Sequence, residues 1–219
     1  MADRKRCQGL NSKCFLFTYL VIVCFLLVLW FNRTGLVHEE QRVIPAQLQS
    51  TIAFPPREIS DVLIGLNEKQ VLTNSAFNDR WTLVYFSHAN CLPKCVKPYE
   101  KLASFQSAFA SHDVVGVAVI DLDSEENQRG TLAKLVAQEG FKFPIIEAET
   151  NVIEALAKTF IALYLRTDFA NGEYQIEQEH HLFLVDPKSG VYAVFDDQDT
   201  SAEIMDTFTQ LRQFYAKSE

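Results

Sequence analysis

Glycine and proline are scarce, at 8 and 7 of 219 residues, and no low-complexity tract or internal repeat occurs. That excludes a collagen-like or disordered chain. The sequence has no G-x-x-x-x-G-K-[ST], no G-x-G-x-x-G and no serine-nucleophile motif, so a nucleotide or flavin enzyme is unsupported. Basic residues are in short supply after position 33, where 15 face 27 acids for a net of −12. A body of that sign repels phosphate backbones, which excludes nucleic acid as its partner. What remains is 48% hydrophobic and 12% aromatic, enough for one globular domain with a sizeable core.

The first 33 residues have the opposite sign. Arg4, Lys5, Arg6, Lys13 and Arg33 stand against Asp3, a net of +4. Between Lys13 and Arg33 runs CFLFTYLVIVCFLLVLWFN (14–32), uncharged and long enough, at about 1.5 Å per residue, to span a hydrocarbon core of about 30 Å. The flanking WFNRTGLVHEE offers no small-residue cleavage site, so the run reads as an uncleaved anchor rather than a secretory signal. Four bases before the span and one after it place residues 1–13 in the cytoplasm and the acidic body on the far side. The expected location is a bacterial inner membrane with the body in the periplasm. A mitochondrial inner membrane fits less well, because MADRKRCQGLNSK is short for an Arg-rich presequence and carries Asp3.

That topology sorts the five cysteines. Cys7 and Cys14 lie at or before the cytoplasmic edge and Cys24 within the span, which leaves Cys91 and Cys95 for the exported domain. A disulfide closing so short a loop constrains the unfolded chain very little, so a purely structural bridge is a weak reading. A redox or metal role is the stronger one.

Residues 33–56 read as a stalk containing Pro45 and Pro55, and 57–219 as the domain. Within it, 59–73 suggests a hairpin turning at Asn67-Glu68, and WTLVYFS (81–87) a buried central strand. Residues 95–112 place Tyr99, Leu102, Phe105 and Phe109 on one helical face. Then follow a strand (113–121), a helix (124–140) starting near Ser124 and Gln128, a short strand (141–147), and a helix (150–160) capped by Thr150 or Asn151. A polar, turn-rich stretch (164–179), a hairpin (180–197) and a final amphipathic helix (200–218) complete the chain. The fold class is α/β: a thioredoxin-like mixed central sheet with helices on both faces, preceded by one N-terminal transmembrane helix.

Cys91-Leu92-Pro93-Lys94-Cys95 follows the central strand and opens the first long helix. A thiol at a helix N-terminus meets unpaired N–H groups and the positive end of the dipole, which favour the thiolate. Two thiolates so spaced can close into a disulfide or converge on a soft ion, above all Cu(I). His88 lies where it can orient or deprotonate a cysteine, or serve as a plain loop residue. Asp121, Asp123, Glu125 and Glu126 read as a solvated loop and helix cap rather than a hard-cation site. Phe141, Phe143, Phe160 and Tyr164 read as core or groove residues.

Taken together, DRWTLVYFSHANCLPKC, the helix after it, DVVGVAVIDLDSEENQRGTLAKL and HHLFLVDPKSG resemble the Sco/SenC family of membrane-anchored, thioredoxin-like copper-handling proteins. The resemblance covers about residues 57–215. It implies copper, as Cu(I) or Cu(II), held by Cys91, Cys95 and one distant histidine, and a role in assembling the copper centre of cytochrome c oxidase. The implied partner is oxidase subunit II, or another periplasmic cuproprotein or thiol protein. The family's D-H-S/T histidine, counted back from LVDP (184–187), falls on Gln178. His180 shares a strand face with Gln178 at a displacement of about 6–7 Å, which a bulge or loop shift can recover, and it is taken as the ligand. His181 points to the other face. The rival reading uses no metal: an exposed Cys91 attacks a partner disulfide and Cys95 resolves it, a thiol–disulfide oxidoreductase.

Overall fold

A computed structural model describes residues 12–33, 44–59, 77–112 and 114–217. The chain divides into two compact units, residues 1–45 and 46–219. In the first, helix α1 (Ser12–Arg33) runs for 22 residues. Its described side chains, residues 17–28, are exposed except for the half-buried Val23. They cover about 18 Å of the helix. Among the described residues no helix is long and apolar enough to cross a membrane.

The second unit is built on β2 (Trp81–Ser87), every residue of which is buried. A run of seven strand-forming residues without a polar face needs cover on both sides and both edges. On one edge it pairs in parallel with β3 (Val115–Asp121), which pairs in parallel with β4 (Ile145–Ile146). On the other it meets β7 (Leu182–Val185) antiparallel, followed by β8 (Gly190–Phe195) and β1 (Ile52–Glu58). The result is a six-stranded mixed sheet in the order β1-β8-β7-β2-β3-β4.

Alternation along β2 assigns its two faces. Phe86 packs edge-on against Phe160 of α4 (Thr150–Phe160) and Phe183 of β7, at centroid distances of 5.3 and 5.7 Å. Trp81 and Tyr85 face α2 (Val96–Ala108) and α5 (Ser201–Ala216): Trp81 meets Phe208 at 5.8 Å, and Tyr85 meets Tyr99 at 5.8 Å. The mixed thioredoxin-like arrangement with helices on both faces is therefore present.

Several local expectations change. Glycine at position 130 adopts φ 73°, a left-handed conformation that side chains resist, so 124–140 is not one helix. A short 3-10 turn (Glu126–Gln128) precedes it and α3 (Thr131–Gln138) follows. Ser124 is free of that helix and bonds Thr150 through its hydroxyl at 2.7 Å. Neither Thr150 nor Asn151 caps α4; Glu149 occupies the N-cap position without a side-chain bond. The stretch 164–179 is an antiparallel hairpin of β5 (Tyr164–Asp168) and β6 (Tyr174–Gln178), separate from the main sheet. Its strands are half-exposed and lack an apolar run, which is why composition reads as turn. The end of the segment read as a stalk forms β1, an edge strand that tolerates the missing N–H groups of Pro55 and Pro56. The hairpin at 59–73 lies, beyond Ile59, outside the described residues.

The C-terminal helix carries a full capping box: Thr200 accepts from the Glu203 N–H, and the Glu203 carboxylate accepts from the Thr200 N–H at 2.8 Å. Replacing Thr200 by Ala is expected to cost about 1 kcal/mol, read as a lower urea midpoint with an unchanged m-value.

Candidate metal centre

After Ser87 the chain leaves β2 through an extended His88 and one 3-10 turn, Ala89–Cys91. The long helix begins only at Val96, with Cys95 at its N-cap. Of the two thiols that open this stretch, the one at the helix N-terminus is thus Cys95. Cys91 is not exposed: it retains 4% of its accessible surface and Cys95 none. Cys91 instead forms part of the wall of a pocket of about 380 Å³, shared with His88, Lys94, Tyr174, Gln178 and His180. The two cysteines form a disulfide with Cα atoms 5.6 Å apart.

From the other side of the pocket, β6 ends at Gln178 and the chain bends before β7 starts at Leu182. The bend carries His180 inward. Ligand atoms of Cys91, Cys95 and His180 all lie within 4.8 Å of one another. Burial holds the His180 imidazole below its ordinary pKa, with Lys94 and His181 acting in the same direction against Asp197. A neutral imidazole keeps a lone pair for a metal. His181 turns away, within 3.5 Å of Glu179 and 3.6 Å of Asp196.

Four residues to which the sequence assigned no role at the site, Tyr85, Ser87, Tyr99 and Gln178, complete it. The Tyr85 hydroxyl lies 3.0 Å from Cys95 Sγ and 2.7 Å from His180 Nδ1. Gln178 donates through Nε2 to that hydroxyl at 3.2 Å and to the Phe86 carbonyl at 2.5 Å. Ser87 donates to Cys95 Sγ at 3.5 Å and shares a 2.6 Å hydrogen bond with the Tyr99 hydroxyl. The signal was present in the strand's period of two, which sets Tyr85 and Ser87 on one face, and in Tyr99 lying one helical turn after Cys95. Burial raises both phenols, Tyr99 to about 12, so each keeps its proton.

His88 is 6% exposed, and burial pushes its pKa down to about 4 despite the attraction of Asp123. It is neutral at pH 7 and supplies no positive charge to a thiolate. The acidic run is only in part the solvated loop expected: Glu126 is exposed and Glu125 half-buried. Asp121 and Asp123 are 2% and 5% exposed. Asp121 Oδ1 accepts from the Asp123 N–H at 2.9 Å, Tyr174 donates to Asp123 at 2.6 Å, and Arg166 pairs with Glu125 at 2.7 Å. These contacts fix the β5–β6 hairpin to the loop after β3, and so fix the strand that delivers Gln178 and His180. Phe160 is fully buried, while Phe141 and Phe143 stack 5.5 Å apart beside Tyr99.

The SCO1/SenC family model matches residues 63–213. The chain belongs to the SCO1/SenC family. Among solved structures it is similar to copper-bound ScoI of Arabidopsis thaliana (TM-score 0.54, 16% identity, 65% of this chain and 89% of that one). It is similar in the same degree to copper-bound ScoI of Bradyrhizobium japonicum (TM-score 0.54, 15% identity, 65% and 90%). Apo Sco1 of Thermus thermophilus follows at TM-score 0.52 and 19% identity, over 68% of this chain and 87% of that one. At these identities the likeness is one of fold. Among curated protein sequences none matches the chain.

Two buried groups give opposing pH dependences. His88 stands at about 4 when folded and about 6.5 when unfolded, so its contribution is lost as pH falls through that window. Burial raises Asp121 to about 7 from an unfolded value of about 3.9, so its contribution is present at low pH and lost as pH rises towards 7. Asp121→Asn is accordingly expected to raise the urea midpoint at pH 8 and leave it unchanged at pH 4. A lower midpoint at pH 8 would show that the carboxylate is held by favourable contacts instead.

Proposed function

We propose that this SCO1/SenC protein is a membrane-anchored copper carrier that serves the copper centre of cytochrome c oxidase. Cys91, Cys95 and His180 hold the metal. The observation that carries the reading is the convergence of two sulfurs and one imidazole within 4.8 Å, beside a pocket that Cys91 and His180 line. With metal–ligand bonds of about 2.0–2.3 Å, donors on one ion lie at most about 4.6 Å apart, so this set needs little rearrangement. Two thiolates and an imidazole also match copper in softness.

Loading requires reduction. The Cys91–Cys95 disulfide takes two electrons from a dithiol reductant, which becomes the disulfide, and yields two sulfurs able to bind copper. Copper is cargo, released by ligand exchange to thiolates of a partner such as oxidase subunit II. The apolar segment 14–32, which falls within α1, supports the anchor. The basic residues before it support a cytoplasmic N-terminus, a periplasmic domain and a bacterial inner-membrane location.

The disulfide itself favours a second reading, metal-free thiol–disulfide exchange with Cys91 on the pocket wall as nucleophile. Copper titration of the reduced full chain in detergent separates the two. Stoichiometric Cu(I) binding is expected, abolished in Cys91→Ser/Cys95→Ser. A thiolate-to-Cu(II) charge-transfer band is expected to disappear in His180→Ala and persist in His181→Ala. Absence of copper binding, with a measurable reduction potential, would leave the exchange reading standing alone.

A further inference from the structure

The Tyr85 hydroxyl has more neighbours than protons. Three groups lie within hydrogen-bond distance of its oxygen: Gln178 Nε2, His180 Nδ1 and Cys95 Sγ. The Gln178 amide nitrogen can only donate, and its second acceptor, the Phe86 carbonyl, fixes that orientation. Its own Oε1 is buried without a hydrogen-bond partner, in the orientation that keeps both donors in place. Gln178 therefore occupies one lone pair of the phenol oxygen. A single proton remains to serve either Nδ1 or Sγ.

Which one receives it depends on the sulfur. A disulfide sulfur is a weak acceptor, so the hydroxyl donates to Nδ1 and the imidazole proton stays on Nε2. At the N-cap of α2, unpaired N–H groups favour the thiolate of reduced Cys95, a charged and much stronger acceptor. Once Cys95 is reduced the hydroxyl turns to it, and Nδ1 can keep its contact only by donating to the phenol oxygen. The neutral imidazole then carries its proton on Nδ1 and frees the Nε2 lone pair. The tautomer change takes one proton from solvent and returns one, with no net transfer.

The geometry points to Tyr85 as a positioning residue, held by Gln178, that couples reduction of the Cys91–Cys95 pair to the histidine tautomer able to bind copper through Nε2. This inference rests on the copper reading for its purpose, but both of its tests use the copper-free protein. An imidazole held in the ligating tautomer by a bond to its other nitrogen is the general device by which outer groups orient metal ligands.

Long-range proton–nitrogen NMR of the ¹⁵N-histidine-labelled full chain in detergent micelles reads the tautomer directly, with His180 assigned by the signal lost in His180→Gln. The Nε2–H form is expected in the oxidised protein and the Nδ1–H form after reduction. In Tyr85→Phe the tautomer should no longer follow the redox state. The same variant loses a hydrogen bond to a thiolate, so its dithiol–disulfide equilibrium against glutathione should move about tenfold towards the disulfide, about 30 mV more negative. One tautomer in both states of the parent protein would overturn the inference, whether or not the variant folds. So would a Tyr85→Phe protein that keeps the switch and the potential. Failure of copper binding alone, with the tautomer change intact, would remove the copper reading and leave the coupling standing.

Discussion

The organising constraint is the complete burial of β2. Its seven residues are covered on both faces and paired on both edges, so polar groups at its C-terminal end must be satisfied by protein. Tyr85 has no accessible surface and Ser87 has none. Their hydroxyls have to find partners, and those partners are Cys95, Tyr99, Gln178 and His180. The candidate site is thus where the apolar strand ends, and its chemistry follows from hydrogen bonds that burial makes obligatory. The enclosure that demands these bonds also strengthens them, because water is not there to compete.

A second layer determines where the far histidine arrives. The body's excess of acid is not spread evenly over solvent; part of it is buried beside the site. Asp123 and Glu125 hold Tyr174 and Arg166, one residue from each strand of the β5–β6 hairpin, and the Arg166 guanidinium lies 4.1 Å above the Tyr174 ring. Such an arrangement combines a charge-assisted bond, an ion pair and a cation–π contact around one aromatic ring. It secures a hairpin that the main sheet does not hold. Ile176, buried in the core, and the Gln178 bond to the Phe86 carbonyl hold the same strand against the body of the domain.

Much of the fold was legible because its signals are local. Continuous apolar runs marked β2 and β3, helical spacing marked α2 and α5, and an apolar pair of strands around PKSG marked β7 and β8. The two cysteines were legible because no other cysteine follows the first 33 residues. Elements whose identity depends on the far side of the molecule were not. β5 and β6 are polar strands stabilised by an acidic loop more than thirty residues away in sequence, and no period within them reveals it. The acidic run misled in part for the same reason: Glu125 and Glu126 keep access to solvent, but Asp123 is buried against the hairpin that holds it through Tyr174.

The histidine shows how a spacing argument fails and is then repaired. Along a regular strand, two residues carry His180 about 6–7 Å past Gln178, too far for both to serve one point. In the structure both reach the same oxygen, at 2.7 and 3.2 Å. The strand stops at Gln178, and the Glu179 N–H makes a last bond to the Leu163 carbonyl at 3.0 Å. The chain then turns towards β2 instead of continuing past it. A residue two places downstream is thereby brought back to the level of the one it follows. Gln178, to which the count back from LVDP led, is not idle there, since its amide holds the phenol against which His180 is set. The candidate ligand and the amide that holds its phenol partner are thus two nearby residues, His180 and Gln178, that meet at one oxygen.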